Sequence, residues 1–362
     1  MAQQTRQVVS SEPNRVGGEP DDGIFELADE TPEALLRWCD EMGWGDGLPV
    51  VAPTAERVQE MLGPDQSRAG ECIGVLPPRM GRATWRVLAA NAVMAGCPPG
   101  HLPVLAAAVR ALSHEDMNLR GVNATTHPVA PLVIVHGQAG DDLNFNAEAG
   151  TFGPGCRANA SLGRALRLVL LQVAGARPGA GDASTQGGPA KYAYCIAENA
   201  RANPWESYAK HCGVVSDSAV TVTCGEAPHN FHDMERKADP GRILDKAASV
   251  MATLGSNNAP ISTAEFFVVL GPEHATTIAG EGWSRRDVQS YLFERARLPV
   301  RLFRQAFENM ALRPWEHALP EDAAKPMVSH PDQIRVLVAG GAGKHSSVIP
   351  SWGMTRSVCM AV

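Results

Sequence analysis

Val129-Ala-Pro-Leu-Val-Ile-Val135 and Asn159-Ala-Ser-Leu-Gly-Arg-Ala-Leu-Arg-Leu-Val-Leu-Leu-Gln-Val173 are the two stretches that decide the fold class. The first is a short apolar run, the length of a strand buried on both faces. The second is long enough for a helix and apolar except at Arg164 and Arg167. The same rhythm continues downstream. Val220 to Cys224 reads as a strand, Gly241 to Leu254 as a helix, Phe266 to Leu270 as a strand, Trp283 to Arg297 as a helix and Ile334 to Ala339 as the last clear strand. Strands alternating with helices predict an α/β fold, with mixed or mainly parallel sheets flanked by helices.

Upstream, Thr31-Pro32-Glu33 starts a helix that stops near Gly43, and Thr54 caps another running to Leu62. Ala-rich helices over Trp85 to Ala95 and Leu102 to Leu112 flank the turn Gly96-Cys97-Pro98-Pro99-Gly100. In each half an apolar strand ends in glycine (Val133 to Gly137, Val268 to Gly271) beside an Ala-rich helix, which predicts two similar lobes. The boundary between them is expected near Lys210 to Ser218, giving lobes over 23–212 and 213–362. Residues 1–22 are polar and aperiodic, and are read as a flexible arm with a homo-oligomer as one use for it.

Composition narrows the function. The 362 residues carry 39 acidic against 32 basic side chains, a formal charge of −7, and no Lys/Arg stripe. Nucleic acid is therefore not an expected partner. No apolar stretch reaches the roughly 20 residues that span a bilayer, so no membrane is expected either. The eight cysteines show no CxxC spacing, and a reduced cytoplasm is the expected compartment. With 35 Gly and 27 Pro, ordered loops are plentiful, and loops are where α/β enzymes carry their chemistry.

Five loop clusters could carry that chemistry. Asn123-Ala-Thr125-Thr126-His127-Pro128 precedes the buried strand and either caps local backbone or presents polar groups and an acid/base His127 to a ligand. Thr151-Phe-Gly153-Pro-Gly155-Cys-Arg157-Ala-Asn159 opens onto a helix, where free N–H groups and Arg157 suit an anion, unless Asn159 merely caps the helix. Gly340-Gly341-Ala-Gly343-Lys344-His345-Ser346 resembles a phosphate loop but lacks its first glycine and its Ser/Thr after Lys. Nucleotide hydrolysis is excluded on that ground, and a carboxylate or phosphate held beside Lys344 and His345 is expected. Cys97 stands before a helix start, where a thiol is acidified, with His101 four residues on. His229-Asn-Phe-His232-Asp233 has spacing for a divalent metal. A further segment, Gln186 to Asn199, sets Lys191 and Glu198 at opposite ends of a short apolar run. As a strand it would point them to opposite sides.

Trp44-Gly-Asp-Gly-Leu-Pro-Val-Val-Ala-Pro-Thr-Ala-Glu-Arg-Val58 resembles the opening segment of bacterial UGSC-motif (seleno)proteins. Thr126 to Pro131, Phe152 to Gly155, Arg157 to Asn159, Gly163 to Arg167 and Gly343 to Ser346 are similar to longer bacterial relatives of them. The resemblance implies a thiol or selenol redox role. The defining Sec/Cys-Gly-Ser-Cys tetrapeptide is absent; Cys212-Gly-Val-Val215 and Cys224-Gly-Glu-Ala227 lack its second cysteine, so the resemblance assigns no catalytic residue.

The reading that follows is an enzyme acting on a small anionic molecule. The Phe152–Asn159 and Gly340–Ser346 loops hold the substrate, His127 is the acid or base, and Cys97 is the nucleophile or redox thiol. The alternatives are a metal-dependent lyase or hydrolase built on His229 and His232, and a non-catalytic metabolite-binding subunit.

Overall fold

A computed structural model describes residues 6–9, 24–27, 29, 31–235, 239–307, 312–314 and 316–362. The core strands are β1 (Ala130–Gly137), β2 (Cys195–Ala197), β3 (Ser218–Gly225), β4 (His229–His232), β5 (Phe266–Leu270), β6 (Ile334–Val338), β7 (His345–Pro350) and β8 (Val358–Ala361). They form two four-stranded mixed sheets, in the orders β8-β3-β1-β2 and β6-β5-β7-β4. The protein is an α/β fold.

The two sheets follow one plan. β1 pairs parallel with β2 and antiparallel with β3, and β5 likewise pairs parallel with β6 and antiparallel with β7. The fourth strand of each sheet follows, along the chain, the third strand of the other sheet. After β3 the chain crosses and β4 joins β7; after β7 it crosses back and β8 joins β3. Where the crossovers pass, Gly225 bridges Ser351, Glu226 N–H donates to Pro350 O at 2.9 Å and Trp352 N–H to Cys224 O at 3.2 Å. Strands β3 and β8, both beyond the boundary expected after residue 212, thus complete the sheet of the first lobe.

Strand alternation sorts the side chains into layers. Leu132 and Ile134 of β1 meet Phe267 and Val269 of β5, with Leu337 and Ile349, between the sheets. Val133 and Val135 face the other way, onto the helices Trp85–Ala95, Leu102–Leu112 and Arg157–Gln172. Phe266, Val268 and Leu270 face Pro240–Met251 and Arg285–Arg295. The result is helices, sheet, sheet, helices.

Within the expected N-terminal arm, Arg6–Val9 is a strand paired with Ile24–Leu27. Val8 and Val9 are buried, and Val9 N–H donates to Pro53 O at 2.9 Å. This piece is docked rather than free because its valines find apolar cover; the rest of 1–22 lies outside the described residues. Among the described residues no helix is long and apolar enough to cross a membrane.

Candidate functional site

The helix Arg157–Gln172 lies close against the first sheet because Gly163 has no side chain; a Cβ there would stand 2.6 Å from Tyr194 N. Arg164 and Arg167, three apart, share a side of this helix. Arg164 grips Asp46 with two bonds, Nε to Oδ2 at 2.7 Å and Nη2 to Oδ1 at 2.8 Å, so the Trp44–Leu48 loop is fixed against the helix. Arg167 Nη2 reaches Asp182 Oδ2 at 3.0 Å, and Lys191 Nζ reaches the same oxygen at 2.7 Å. All three side chains are largely buried, at 10%, 4% and 13% exposure. They line a hollow of about 420 Å³ shared with Gly45, Asp46 and the turn Gln186-Gly187-Gly188.

Electrostatics here are uneven. Burial pulls the Lys191 amine below its ordinary 10.5 despite the Asp182 carboxylate. Burial works to raise Asp182, but the Lys191 hydrogen bond and charge, the Ser184 N–H and Arg167 outweigh it and hold the carboxyl below 3.8. Asp46 is already matched by Arg164, Arg167 and Lys191 share the Asp182 carboxylate, and Arg177 also lines the hollow. Buried charge left uncompensated is costly, and an anionic group entering the hollow would balance it.

The polar cluster before β1 supports this hollow from behind. Asn123 Nδ2 donates to Pro77 O at 3.0 Å, Ala183 N–H to Asn123 O at 3.1 Å and Thr185 N–H to Thr126 O at 2.9 Å. His127 N–H is held by Thr125 Oγ1 at 3.2 Å, and Ser184 Oγ donates to His127 O at 3.2 Å. The Asn123 and Thr125 side chains and the Thr126 carbonyl thus satisfy backbone, the local-capping alternative. The His127 ring turns to Glu226, Nε2 to Oε1 at 2.8 Å, and His229 Nε2 lies 3.6 Å from the other oxygen. Burial works to raise Glu226, yet the His127 hydrogen bond and charge hold it below 4.5.

The two glycine loops do meet. Gly150–Gly153 and Gly340–Gly343 wall a second hollow of about 340 Å³ with Asn230, His345 and Ser346. Several of its polar groups are already occupied, however. Gly343 N–H donates to Glu273 Oε1 at 2.7 Å, Gly340 N–H to Ala147 O at 2.8 Å, and Lys344 Nζ to Glu235 O at 2.8 Å. Ser346 Oγ accepts from Gly271 N–H at 2.9 Å and bonds His274 Nδ1 at 2.7 Å; His345 Nδ1 sits 3.1 Å from Asn230 Oδ1. The carboxylate that meets Gly343 N–H is the chain's own, Glu273.

Three local expectations are corrected. Cys97 follows the C-terminal end of the helix Trp85–Ala95, and burial pushes its thiol up to about 11, the reverse of acidification. Asn159 does not cap its helix, whose cap is Cys156; its Oδ1 accepts from Asn146 N–H at 2.8 Å and its Nδ2 donates to Asn146 O at 2.9 Å. Arg157 Nε donates to Gly96 O at 2.9 Å, and Arg157 shares a third hollow with His101 and Cys156, apart from Gly153 and Gly155. Positions 97, 127, 157 and 345 therefore do not line one hollow.

His229 and His232, three apart on β4, fall on opposite faces; the His232 ring lies tilted against that of His345, ring centroids 5.6 Å apart. Among the described residues no three His, Cys, Asp or Glu side chains come together as a metal-ligand set. Lys191 precedes β2 in the turn Pro189–Lys191, so the strand argument pairing it with Glu198 does not apply. The sequence reading named Lys191 but missed Asp182 and Arg167. The signal was Arg164 and Arg167 at helical spacing in an apolar run. No protein-family model matches the chain, and no curated protein matches it.

Proposed function

We propose that the protein is an enzyme acting on a small anionic molecule, bound in the hollow over Lys191. The carrying observation is that Lys191 and Arg167 both bond one oxygen of Asp182, leaving surplus positive charge facing a hollow of about 420 Å³. That volume lies within the roughly 300–1,000 Å³ of small-molecule sites. Lys191 orients the anionic group and, with its amine pulled down by burial, transfers the proton. Asp182 holds the amine in place, and the Gln186–Gly188 turn closes the wall. His127, paired with Glu226 and tied to Ser184 through its carbonyl, is the second acid/base group.

The test is titration of phosphate and of di- and tricarboxylates, followed by thermal unfolding, on the wild type and Lys191→Met. Saturable stabilisation of the wild type, weakened at least about tenfold in the variant, supports the reading. Equal response of the two proteins overturns it. A bound anion that is never turned over, across a metabolite library, leaves the non-catalytic binding subunit in place of the enzyme.

A further inference from the structure

The third hollow, of about 360 Å³, opens at the start of the helix Arg157–Gln172. That helix begins without a side-chain cap, because the Cys156 thiol at its cap position donates to Asn144 O at 3.3 Å instead. The N–H groups of Arg157, Ala158 and Asn159 therefore meet no acceptor among the described residues, and the 16-residue helix puts partial positive charge there. Arg157 and Ala158 line the hollow. Arg157 is exposed and spends only Nε, on Gly96 O at 2.9 Å, so its guanidinium adds a full charge to this wall.

His101 lines the same hollow and is only 2% exposed. Its ring stacks on Phe145, centroids 4.9 Å apart, and its Nε2 lies 3.1 Å from Leu143 O. A carbonyl oxygen can only accept, so Nε2 carries the hydrogen and Nδ1 of the neutral ring keeps a lone pair. Burial holds the imidazole below its ordinary 6.5 and so in that neutral form. The buried Nδ1 has no partner among the described residues. A buried acceptor left unmet is costly, and a donor supplied by a ligand would meet it. Asp142, the exposed last residue of the short helix Gln138–Asp142, also lines the hollow and forms no ion pair among the described residues.

The lining thus offers two unlike sets of polar groups. The helix N–H groups and Arg157 suit an anion. His101 Nδ1 and Asp142 suit a cationic donor, and Asp142 would repel a ligand that carried negative charge alone. Pro98, Pro99 and Leu143 supply apolar wall. We propose that this hollow binds a free α-amino acid with an apolar side chain. The carboxylate accepts from the N–H groups at the helix start and from Arg157. The ammonium donates to His101 Nδ1 and to Asp142, and the side chain lies against the prolines and Leu143. The volume of about 360 Å³ is at the small end of the roughly 300–1,000 Å³ of ligand sites, as a molecule of this size requires.

Leucine is titrated calorimetrically into the wild type and into Lys191→Met, whose first hollow lacks its amine, beside 4-methylpentanoate and 3-methylbutylamine, which each keep one charged end. Leucine should bind saturably and alike in the two proteins, at least about tenfold more tightly than either one-ended molecule. Asp142→Asn and Arg157→Gln, both at exposed positions, should keep the wild-type unfolding midpoint and weaken leucine at least about tenfold. Bound leucine should also slow iodoacetamide labelling of the half-buried Cys156 and leave that of the exposed Cys212 unchanged. No binding of leucine, valine or methionine at millimolar concentration overturns the proposal. So does 4-methylpentanoate binding as tightly as leucine, which would make the hollow a plain anion site. Full leucine affinity in Asp142→Asn, or Cys156 labelling that leucine leaves unaltered, overturns it as well. Leucine binding lost in Lys191→Met would put the amino acid in the first hollow and overturn the proposal while leaving the reading at Lys191 standing.

Discussion

The hollow over Lys191 and the hollow between the glycine loops share the chemistry of anion binding, and they differ in what already answers it. Over Gly340–Ser346 the anion-seeking backbone is met by Glu273 of the same chain, and Lys344 is spent on Glu235 O. Over Lys191, two buried cations share Asp182 and the hollow remains open on that side. A glycine turn can be satisfied locally at little expense, because its N–H groups are small and any nearby carboxylate suffices. A buried ammonium and a guanidinium on one carboxylate leave an excess of positive charge that a further negative group would balance. That contrast, rather than the presence of glycines, separates a satisfied turn from the site proposed over Lys191.

The sharpest way to break the comparison is Asp182→Asn. It leaves Lys191 and Arg167 buried without their counter-charge, and the expected loss is about 3–5 kcal/mol in denaturant unfolding at pH 7. Phosphate should recover part of it; a loss below about 1 kcal/mol would show the cations to be solvated and the hollow ordinary. The pH dependence follows with its sign. Asp182 is held below 3.8 in the folded protein, so its stabilisation is present above 3.8 and is lost as pH falls through the lowered folded value. Lys191 is held below 10.5, so between its folded value and 10.5 the unfolded chain binds more protons and stability rises with pH. Lys191→Met should abolish that alkaline rise, measured as unfolding free energy across the pH series.

Much of the secondary structure was legible because it rests on local periodicity. Trp85–Ala95, Leu102–Leu112 and Phe266–Leu270 fall where the apolar pattern puts them. The exchange of β4 and β8 between sheets was not legible. The connectors 226–228 and 351–357 carry turn residues that say nothing about which sheet receives the next strand. The site divided along the same line. Lys191 stood out beside Gln186-Gly-Gly-Pro, but its partners come from 9 and 24 positions upstream (191 − 182, 191 − 167), on other elements. Cys97 and Arg157 looked reactive because a turn before a helix often exposes its N–H groups. Packing decided otherwise, burying the thiol and pairing the guanidinium with Gly96 O.

A middle-sized effect is expected at the glycine hollow from overpacking. A Cβ on Gly341 would stand 2.9 Å from the backbone of Ala149, so the two loops must separate. Gly341→Ala should cost about 1–3 kcal/mol and leave phosphate binding at Lys191 intact. If it weakened that binding instead, the two hollows would be coupled and the contrast between them would need to be redrawn.

The smallest effect sharpens the comparison most. Glu273 is exposed and its carboxylate takes the Gly343 N–H at 2.7 Å, with no other anion supplied to that turn by the described residues. Glu273→Ala should change stability by under about 0.5 kcal/mol, as surface substitutions do. It also frees the one N–H that the loop aims at a negative group. In a Lys191→Met background, where the first hollow no longer responds, adding Glu273→Ala should restore a weak phosphate-dependent rise in melting temperature. A double variant as indifferent to phosphate as Lys191→Met alone would mean that the Gly343 turn has no anion preference of its own and that the Glu273 contact reflects proximity alone. A restored response would show that self-satisfaction by one carboxylate, and nothing in the glycine backbone, is what keeps this hollow from binding.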